Sequence, residues 1–73
     1  MKVFEVPHLY DLPDMLRAER KRQKKTQKEL AKLAHIGENT VALTERGQTN
    51  PSIEMLASIV RALGYDTIQI KIY

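Results

Sequence analysis

The segment 26–47 constrains the fold of this chain more than any other part of the sequence. Thr26 and Glu29 form the S/T-x-x-E capping box, which predicts a helix over residues 27–34. The residues His35-Ile-Gly37 predict a turn, and a second helix over about 38–46 ends before Gly47. Helices this short are marginal alone, so they must pack against each other and against the rest of the chain. The pattern predicts a helix-turn-helix.

Two further helices and two strands are predicted around this pair. A β-prone segment over residues 2–6 ends at Pro7, which cannot donate to a strand ladder. Asp11 is the predicted N-cap of a first helix that runs to about residue 23 or 24, and Ser52 is the predicted N-cap of a last helix that Gly64 ends. The apolar periodicity predicts these inward positions: Leu12, Met15, Leu16 and Arg20 in the first helix, Leu30, Ala31 and Ala34 in the second, Val41 in the third, and Ile53, Leu56, Ile59, Val60 and Leu63 in the fourth.

The hydrophobic period changes near the end of the chain. Over residues 67–73 the isoleucines at 68, 70 and 72 alternate with polar residues, which predicts a half-buried strand. A lone strand with an apolar face needs cover, either from the N-terminal strand or from a second copy of itself. The sequence thus predicts one mainly α domain over residues 1–73, with short terminal strands.

Composition limits the chemistry that the chain can perform. With no cysteine among 73 residues, disulfides and thiolate metal sites are excluded. His8 and His35 each stand alone, so we expect structural or surface roles and no metal. No Gly-rich phosphate loop and no Ser/His/Asp arrangement appears, so we expect neither catalysis nor a cofactor. No apolar run suits a signal peptide or a membrane span, which predicts a cytoplasmic protein that does not contact membranes.

Positive charge is concentrated in one part of the chain. The window 17–32 holds eight basic and two acidic residues, a charge of +6, whereas the four basic and seven acidic residues elsewhere sum to −3. Such a window suits a polyanionic partner. A solvated basic helix face would give the same count, and charge alone leaves both interpretations open.

Five short motifs in order carry a resemblance to a known family. They are Thr26-Gln27, Glu29-Leu30-Ala31, Asn39-Thr40-Val41, Glu45-Arg46-Gly47 and Asn50-Pro51-Ser52. Together they resemble the Cro/C1-type (Xre) helix-turn-helix domain of phage and bacterial repressors, over residues 12–66 with the helix-turn-helix at 27–46. The resemblance implies a lambda-repressor-like domain of four to five helices that binds double-stranded operator DNA.

The resemblance also implies which residues contact DNA. Asn39 has the chemistry to pair with adenine, Glu38 can accept a hydrogen bond from cytosine, and Leu43 can touch a thymine methyl group. Local alternatives stay open, because Asn39 could cap its helix, Glu38 could complement the helix dipole, and Leu43 could be buried. The DNA-binding residues implied are Gln27, Lys28, Arg46 and Gln48, with Gln27, Arg46 and Gln48 at the DNA backbone, together with Glu38, Asn39, Thr40 and Leu43 on the recognition helix.

Some positions follow the family pattern and others depart from it. Arg20 and Glu45 match a family pair that ties the first helix to the end of the third. Gly37 replaces the usual Ser or Thr cap of the recognition helix. Lys25 and Thr44 stand where the family has apolar core residues; the stem of Lys25 can cover the core, whereas Thr44 has no explanation from sequence.

The C-terminal segment suggests a subgroup. Leu63-Gly-Tyr-Asp66 followed by a strand is similar to the HipB-like antitoxins, whose terminal strands pair across a dimer. This resemblance implies a homodimer on a palindromic operator, acting at the nucleoid, that represses a toxin–antitoxin operon and binds a HipA-like kinase toxin. A Cro-like repressor without a toxin and a protein-interaction adaptor that does not bind DNA are the alternatives. The implied dimer residues are Ile68, Ile70, Ile72 and Tyr73.

Overall fold

A computed structural model describes residues 1–72. It contains four α-helices, one 3-10 turn and two strands, in agreement with the predicted mainly α class. In chain order the elements are β1 (Val3–Val6), the 3-10 turn (Leu9–Asp11), α1 (Leu12–Arg22), α2 (Gln27–Ala34), α3 (Glu38–Glu45), α4 (Ile53–Ala62) and β2 (Thr67–Ile70). None of the helices in residues 1–72 is long and apolar enough to cross a membrane.

Side-chain caps define the starts of α2 and α4. The Thr26 hydroxyl accepts a hydrogen bond from the Glu29 amide at 3.0 Å, and the Glu29 carboxylate accepts one from the Thr26 amide at 2.8 Å, which confirms the predicted capping box. The backbone hydrogen bond from Thr26 also lowers the pKa of Glu29. Ser52 caps α4 by accepting from the Met55 amide at 3.0 Å, as predicted.

The predicted cap at Asp11 is only half right. Asp11 occupies the N-cap position of α1, but its side chain makes no capping hydrogen bond. The reason is the preceding 3-10 turn, which leaves Asp11 with helical dihedrals (φ −83°, ψ −12°) in place of the extended ones that a capping side chain needs. At its other end α1 stops at Arg22, one or two residues before the predicted end.

The two strands pair with each other within the chain. They run parallel, in a register that sets Val3 opposite Thr67 and Val6 opposite Ile70. Of the two covers expected for the C-terminal strand, the structure therefore shows the N-terminal strand, and α1 to α4 lie between the two in sequence. The C-terminal strand is shorter than the predicted range 67–73: β2 ends at Ile70, and Ile72 lies beyond it.

The core lies between the sheet and the four helices. Most predicted inward positions are buried, although Met15 is only half-buried against the core. Ile53 was predicted wrongly, since it is 82% exposed: it is the first residue of α4, and the first two residues of that helix are exposed to solvent. The buried apolar residues are Phe4, Val6, Leu12, Leu16, Leu30, Ala31, Ala34, Val41, Leu56, Ile59, Val60 and Leu63.

Thr44, unexplained from sequence, has a clear structural basis. Its side chain is buried, and its hydroxyl donates to the backbone carbonyl of Thr40, one turn earlier in α3, at 2.8 Å. A threonine therefore replaces an apolar residue here without leaving an unsatisfied polar group. Lys25 is half-buried, and its ammonium donates to the Gln23 amide oxygen at 2.6 Å.

Candidate nucleic-acid interface

The α2–turn–α3 unit is held together by small and apolar side chains. Ala31 and Ala34 are buried on α2, which allows α3 to approach closely, and Val41 packs into the same core. His35 ends α2 in the left-handed conformation (φ 58°), and the Ile36 amide donates back to the Ala31 carbonyl at 3.0 Å. The buried face of α3 is thereby fixed against the core, and its opposite face is directed outward.

That outward face carries the residues predicted to read bases. Asn39, Ala42, Leu43 and Arg46 are spaced i, i+3, i+4 and i+7, so they form one stripe opposite the buried Val41, Thr44 and Glu45. Asn39 and Arg46 are exposed. Leu43 is half-buried and lies outside the hydrophobic core described above, so the interpretation of Leu43 as a core residue does not hold.

The first turn of α3 carries no side-chain cap. Gly37 occupies the N-cap position, as predicted, and no side chain caps the helix. The alternative role of Asn39 as a cap is therefore not seen. Glu38 is exposed and Thr40 half-buried, and they flank Asn39 on either side of the stripe. Three polar side chains at the start of α3 thus remain available to a ligand.

A buried ion pair joins α1 to the end of α3, and the start of α2 contacts the same carboxylate. Arg20 donates to both oxygens of Glu45, at 2.7 and 2.9 Å, as the predicted pair requires. These hydrogen bonds raise the pKa of Arg20, against an opposing effect of burial. Arg20 also donates to the Lys25 carbonyl at 2.8 Å, and Gln27 donates from Nε2 to Glu45 Oε1 at 3.2 Å. The sequence analysis missed the Gln27–Glu45 contact, because no local signal links positions 18 residues apart.

This contact brings two groups of predicted DNA-binding residues close together. Gln27 and Lys28 open α2, whereas Arg46 and Gln48 follow Glu45 at the end of α3. Lys28, Arg46 and Gln48 are exposed and Gln27 is half-buried. Within residues 1–72 Arg46 donates only from Nε, to the Ala42 carbonyl at 3.4 Å, and its side chain is otherwise free to bind a ligand.

Ion pairs neutralise part of the positive charge in the basic window 17–32. Its three arginines are each paired: Arg17 with Asp14 at 2.8 Å, Arg20 with Glu45, and Arg22 with Glu19. Within residues 1–72 no carboxylate pairs with the five lysines of the window, so the free positive charge there comes from lysine. These residues are Lys21, Lys24, Lys25, Lys28 and Lys32.

The residues predicted at a dimer interface lie together on or just after β2. Ile68 and Ile70 are half-buried and turn toward the core, although less completely than their β1 partners Phe4 and Val6. Ile72 is 74% exposed. Tyr73 lies outside the described residues.

Comparison with known families agrees with this geometry. A family model described as helix-turn-helix (HTH_3) matches residues 16–70, about three quarters of the chain. A search of curated proteins finds no match. The matched family is a DNA-binding regulatory domain and not a family of enzymes. With its two short helices, its tight turn and its outward recognition stripe, the chain belongs to the helix-turn-helix family of DNA-binding transcription regulators.

Proposed function

We propose that this protein is a sequence-specific repressor that reads a palindromic operator as a homodimer. The observation that carries the proposal is the outward stripe of α3, where Asn39, Leu43 and Arg46 stand free of the core on a helix short enough to enter a major groove. A repressor of this kind acts in the cytoplasm, on nucleoid DNA. Its recognition requires no cofactor.

The polar and apolar residues on and around the stripe have separate roles in this proposal. Asn39 pairs with an adenine edge, and Leu43 contacts a thymine methyl group. Glu38 accepts from a cytosine amino group and disfavours bases that present only acceptors, while Thr40 lies beside them. The DNA backbone is held by Gln27, Lys28, Arg46 and Gln48.

Binding to selected DNA tests the base-reading role. Duplexes that the purified protein enriches from a random pool define the operator. Asn39→Ala should then weaken binding to that operator by about 1–3 kcal/mol, with little change on random DNA. Lys28→Ala is the matched control, because loss of a backbone contact should weaken binding to both duplexes alike. Equal losses for Asn39→Ala on both duplexes would remove Asn39 from base readout.

Dimerisation is proposed through β2. Within residues 1–72, β1 occupies one edge of β2, and no strand lies along the other edge. Ile68 and Ile70 are only half-buried and Ile72 is exposed, so each leaves apolar surface accessible. Pairing with a second β2 around a two-fold axis would cover this surface and give a four-stranded sheet. The two recognition helices would then reach half-sites roughly 10 base pairs apart.

Sedimentation tests the strand interface. Ile72→Lys should convert the dimer to a monomer and weaken operator binding, because a charged side chain would replace apolar surface at the contact. Ile53→Lys is the matched control, since Ile53 is also an exposed isoleucine but lies at the start of α4. A dimer that survives Ile72→Lys, or that Ile53→Lys disrupts equally, would refute the strand interface.

We further propose that the repressor is an antitoxin. The support is the similarity of Leu63-Gly-Tyr-Asp66 and the following strand to HipB-like antitoxins. In that role the protein represses its own operon and binds a HipA-like kinase toxin. A toxin reading frame beside the gene, whose product co-purifies with this chain and is neutralised by it, is the expected result. A neighbourhood without such a frame favours a Cro-like repressor, and a purified protein that enriches no DNA sequence favours the adaptor.

A further inference from the structure

One oxygen of Glu45 is shared between a structural arginine and a predicted DNA contact. Oε1 of Glu45 accepts from Arg20 Nη2 at 2.9 Å and from Gln27 Nε2 at 3.2 Å. Oε2 accepts from Arg20 Nε at 2.7 Å. Glu45 is 2% exposed, so water cannot readily replace either donor. The carboxylate, which belongs to α3, therefore accepts hydrogen bonds from two other elements, α1 and α2.

The chemistry of this carboxylate decides which way the Gln27 amide points. An ionised carboxylate only accepts hydrogen bonds, so the nitrogen of the amide, and not its oxygen, must face Glu45. The amide nitrogen carries two hydrogens, and Glu45 uses one of them. The second N–H is left for an acceptor at the start of α2, where the helix dipole favours an anion. A flipped amide would set its oxygen against the carboxylate, which is repulsive.

The same network fixes the position of the α2 N-terminus. Arg20 donates to the Lys25 carbonyl at 2.8 Å, directly before the Thr26 cap. Glu45 of α3 therefore holds the side chain of Gln27, and Arg20 of α1 holds the backbone just before the α2 cap. Because the Gln27 side chain is already ordered before binding, it loses less conformational entropy on contact with DNA than a freely rotating glutamine would.

We propose that Glu45 is a positioning residue for DNA binding, which holds the Gln27 amide with its free N–H presented to a DNA phosphate. This inference rests on the proposed function, because it assumes that Gln27 contacts the DNA backbone. It goes beyond the structural tie between α1 and α3. If the pair were purely structural, its removal would weaken every DNA contact alike. If Glu45 positions Gln27, its removal should weaken the Gln27 contact selectively.

A double-mutant cycle on the full chain tests this selectivity. Arg20→Met/Glu45→Met replaces the buried ion pair with apolar side chains, a change that buried pairs commonly tolerate without loss of stability. Gln27→Met keeps the length of the side chain and removes the amide. Affinities are measured on a duplex selected from a random pool. Gln27→Met should weaken binding about tenfold in the natural background and less than twofold in the Met/Met background.

Lys28 provides the matched control for the cycle. It lies next to Gln27, is exposed, and forms no ion pair with Glu45 within residues 1–72. Lys28→Ala should cost the same factor in both backgrounds. If Gln27→Met costs the same in both, or if Lys28→Ala also loses its effect in the Met/Met background, the positioning role is refuted. A natural chain that enriches no duplex refutes the proposed function itself, and the inference with it.

An NMR measurement on the natural chain gives a readout that does not depend on the Met/Met variant. In the free protein the two Nε2 protons of Gln27 should differ in chemical shift more than those of Gln48 and Gln69, which are exposed. Addition of the selected duplex should shift the second proton and leave the proton bound to Glu45 in place. Gln27 protons that match those of Gln48 and Gln69 in the free protein would overturn the proposal.

Discussion

Arg20 donates to both carboxylate oxygens of Glu45 across the contact between α1 and α3, with Nε 2.7 Å from Oε2 and Nη2 2.9 Å from Oε1. Arg20 is 7% and Glu45 2% exposed. Such a pair gains attraction in the low-dielectric interior and loses the hydration of both ions, so its net contribution to folding is small. Removal of one partner is different, because the other charge then stays buried without compensation.

This asymmetry predicts the stability of variants at the pair. Glu45→Ala should lower the free energy of unfolding by about 3–5 kcal/mol, whereas Arg20→Met/Glu45→Met should leave it close to the natural value. Urea denaturation followed by circular dichroism measures both. A single variant no less stable than the Met/Met variant would contradict the prediction.

Thr44 offers a second test of the buried face of α3. Thr44→Val keeps the shape of the side chain and removes the hydroxyl that bonds the Thr40 carbonyl. That carbonyl keeps its position in the helix ladder, so the variant should match or exceed the natural stability, within about 1 kcal/mol. Thr44→Ala, the control, should lose stability, because it leaves a small cavity. Thermal unfolding distinguishes the two, and a Val variant as unstable as the Ala variant would show that the hydroxyl is required.

The lowered pKa of Glu19 predicts how the stability of the fold depends on pH. Hydrogen bonding from Arg22, followed by that from Gln23, lowers the pKa of Glu19 to about 2 from 4.5, against an opposing effect of burial. Because the folded pKa lies below the unfolded one, the stabilisation is complete above about pH 4.5 and is lost as the pH falls toward 2. Glu19→Gln should therefore reduce the loss of stability over this range.

The control for Glu19 is Glu54→Gln. Glu54 is exposed and has no ion-pair partner within residues 1–72, so its replacement should preserve the natural pH profile. Unfolding in urea at several pH values between 2 and 5 provides the comparison. If Glu19→Gln and the natural chain lose stability in parallel, the arginine contact does not stabilise the folded carboxylate.

Salt dependence should separate free lysines from paired arginines. Lys28 is unpaired within residues 1–72 and adjoins the proposed phosphate contact, whereas Arg22 is paired with Glu19. Lys28→Ala should reduce the slope of log affinity against log salt by about 0.9, the value for one phosphate contact. Arg22→Ala should leave the slope unchanged. Titrations at several salt concentrations measure both, and a reduced slope for Arg22→Ala would place that arginine at the DNA.

Local signals in the sequence predicted the elements of the helix-turn-helix accurately. The bounds of α2 follow from the Thr26 capping box, and the ends of α3 and α4 follow from Gly47 and Gly64, which both adopt positive φ. Caps and turns depend on contacts between residues a few positions apart, so the sequence alone contains what is needed to locate them. The Asp11 cap failed because the 3-10 turn before it was not anticipated.

The sequence by itself determined the four helices, their buried stripes and the outward position of Asn39. The tertiary structure alone decided the parallel pairing of β1 with β2, the exposure of Ile53 and the contact of Gln27 with Glu45. The physical reason is sequence separation. A cap or a helical stripe is stabilised within one or two turns, whereas these three features depend on which distant segments meet when the core closes.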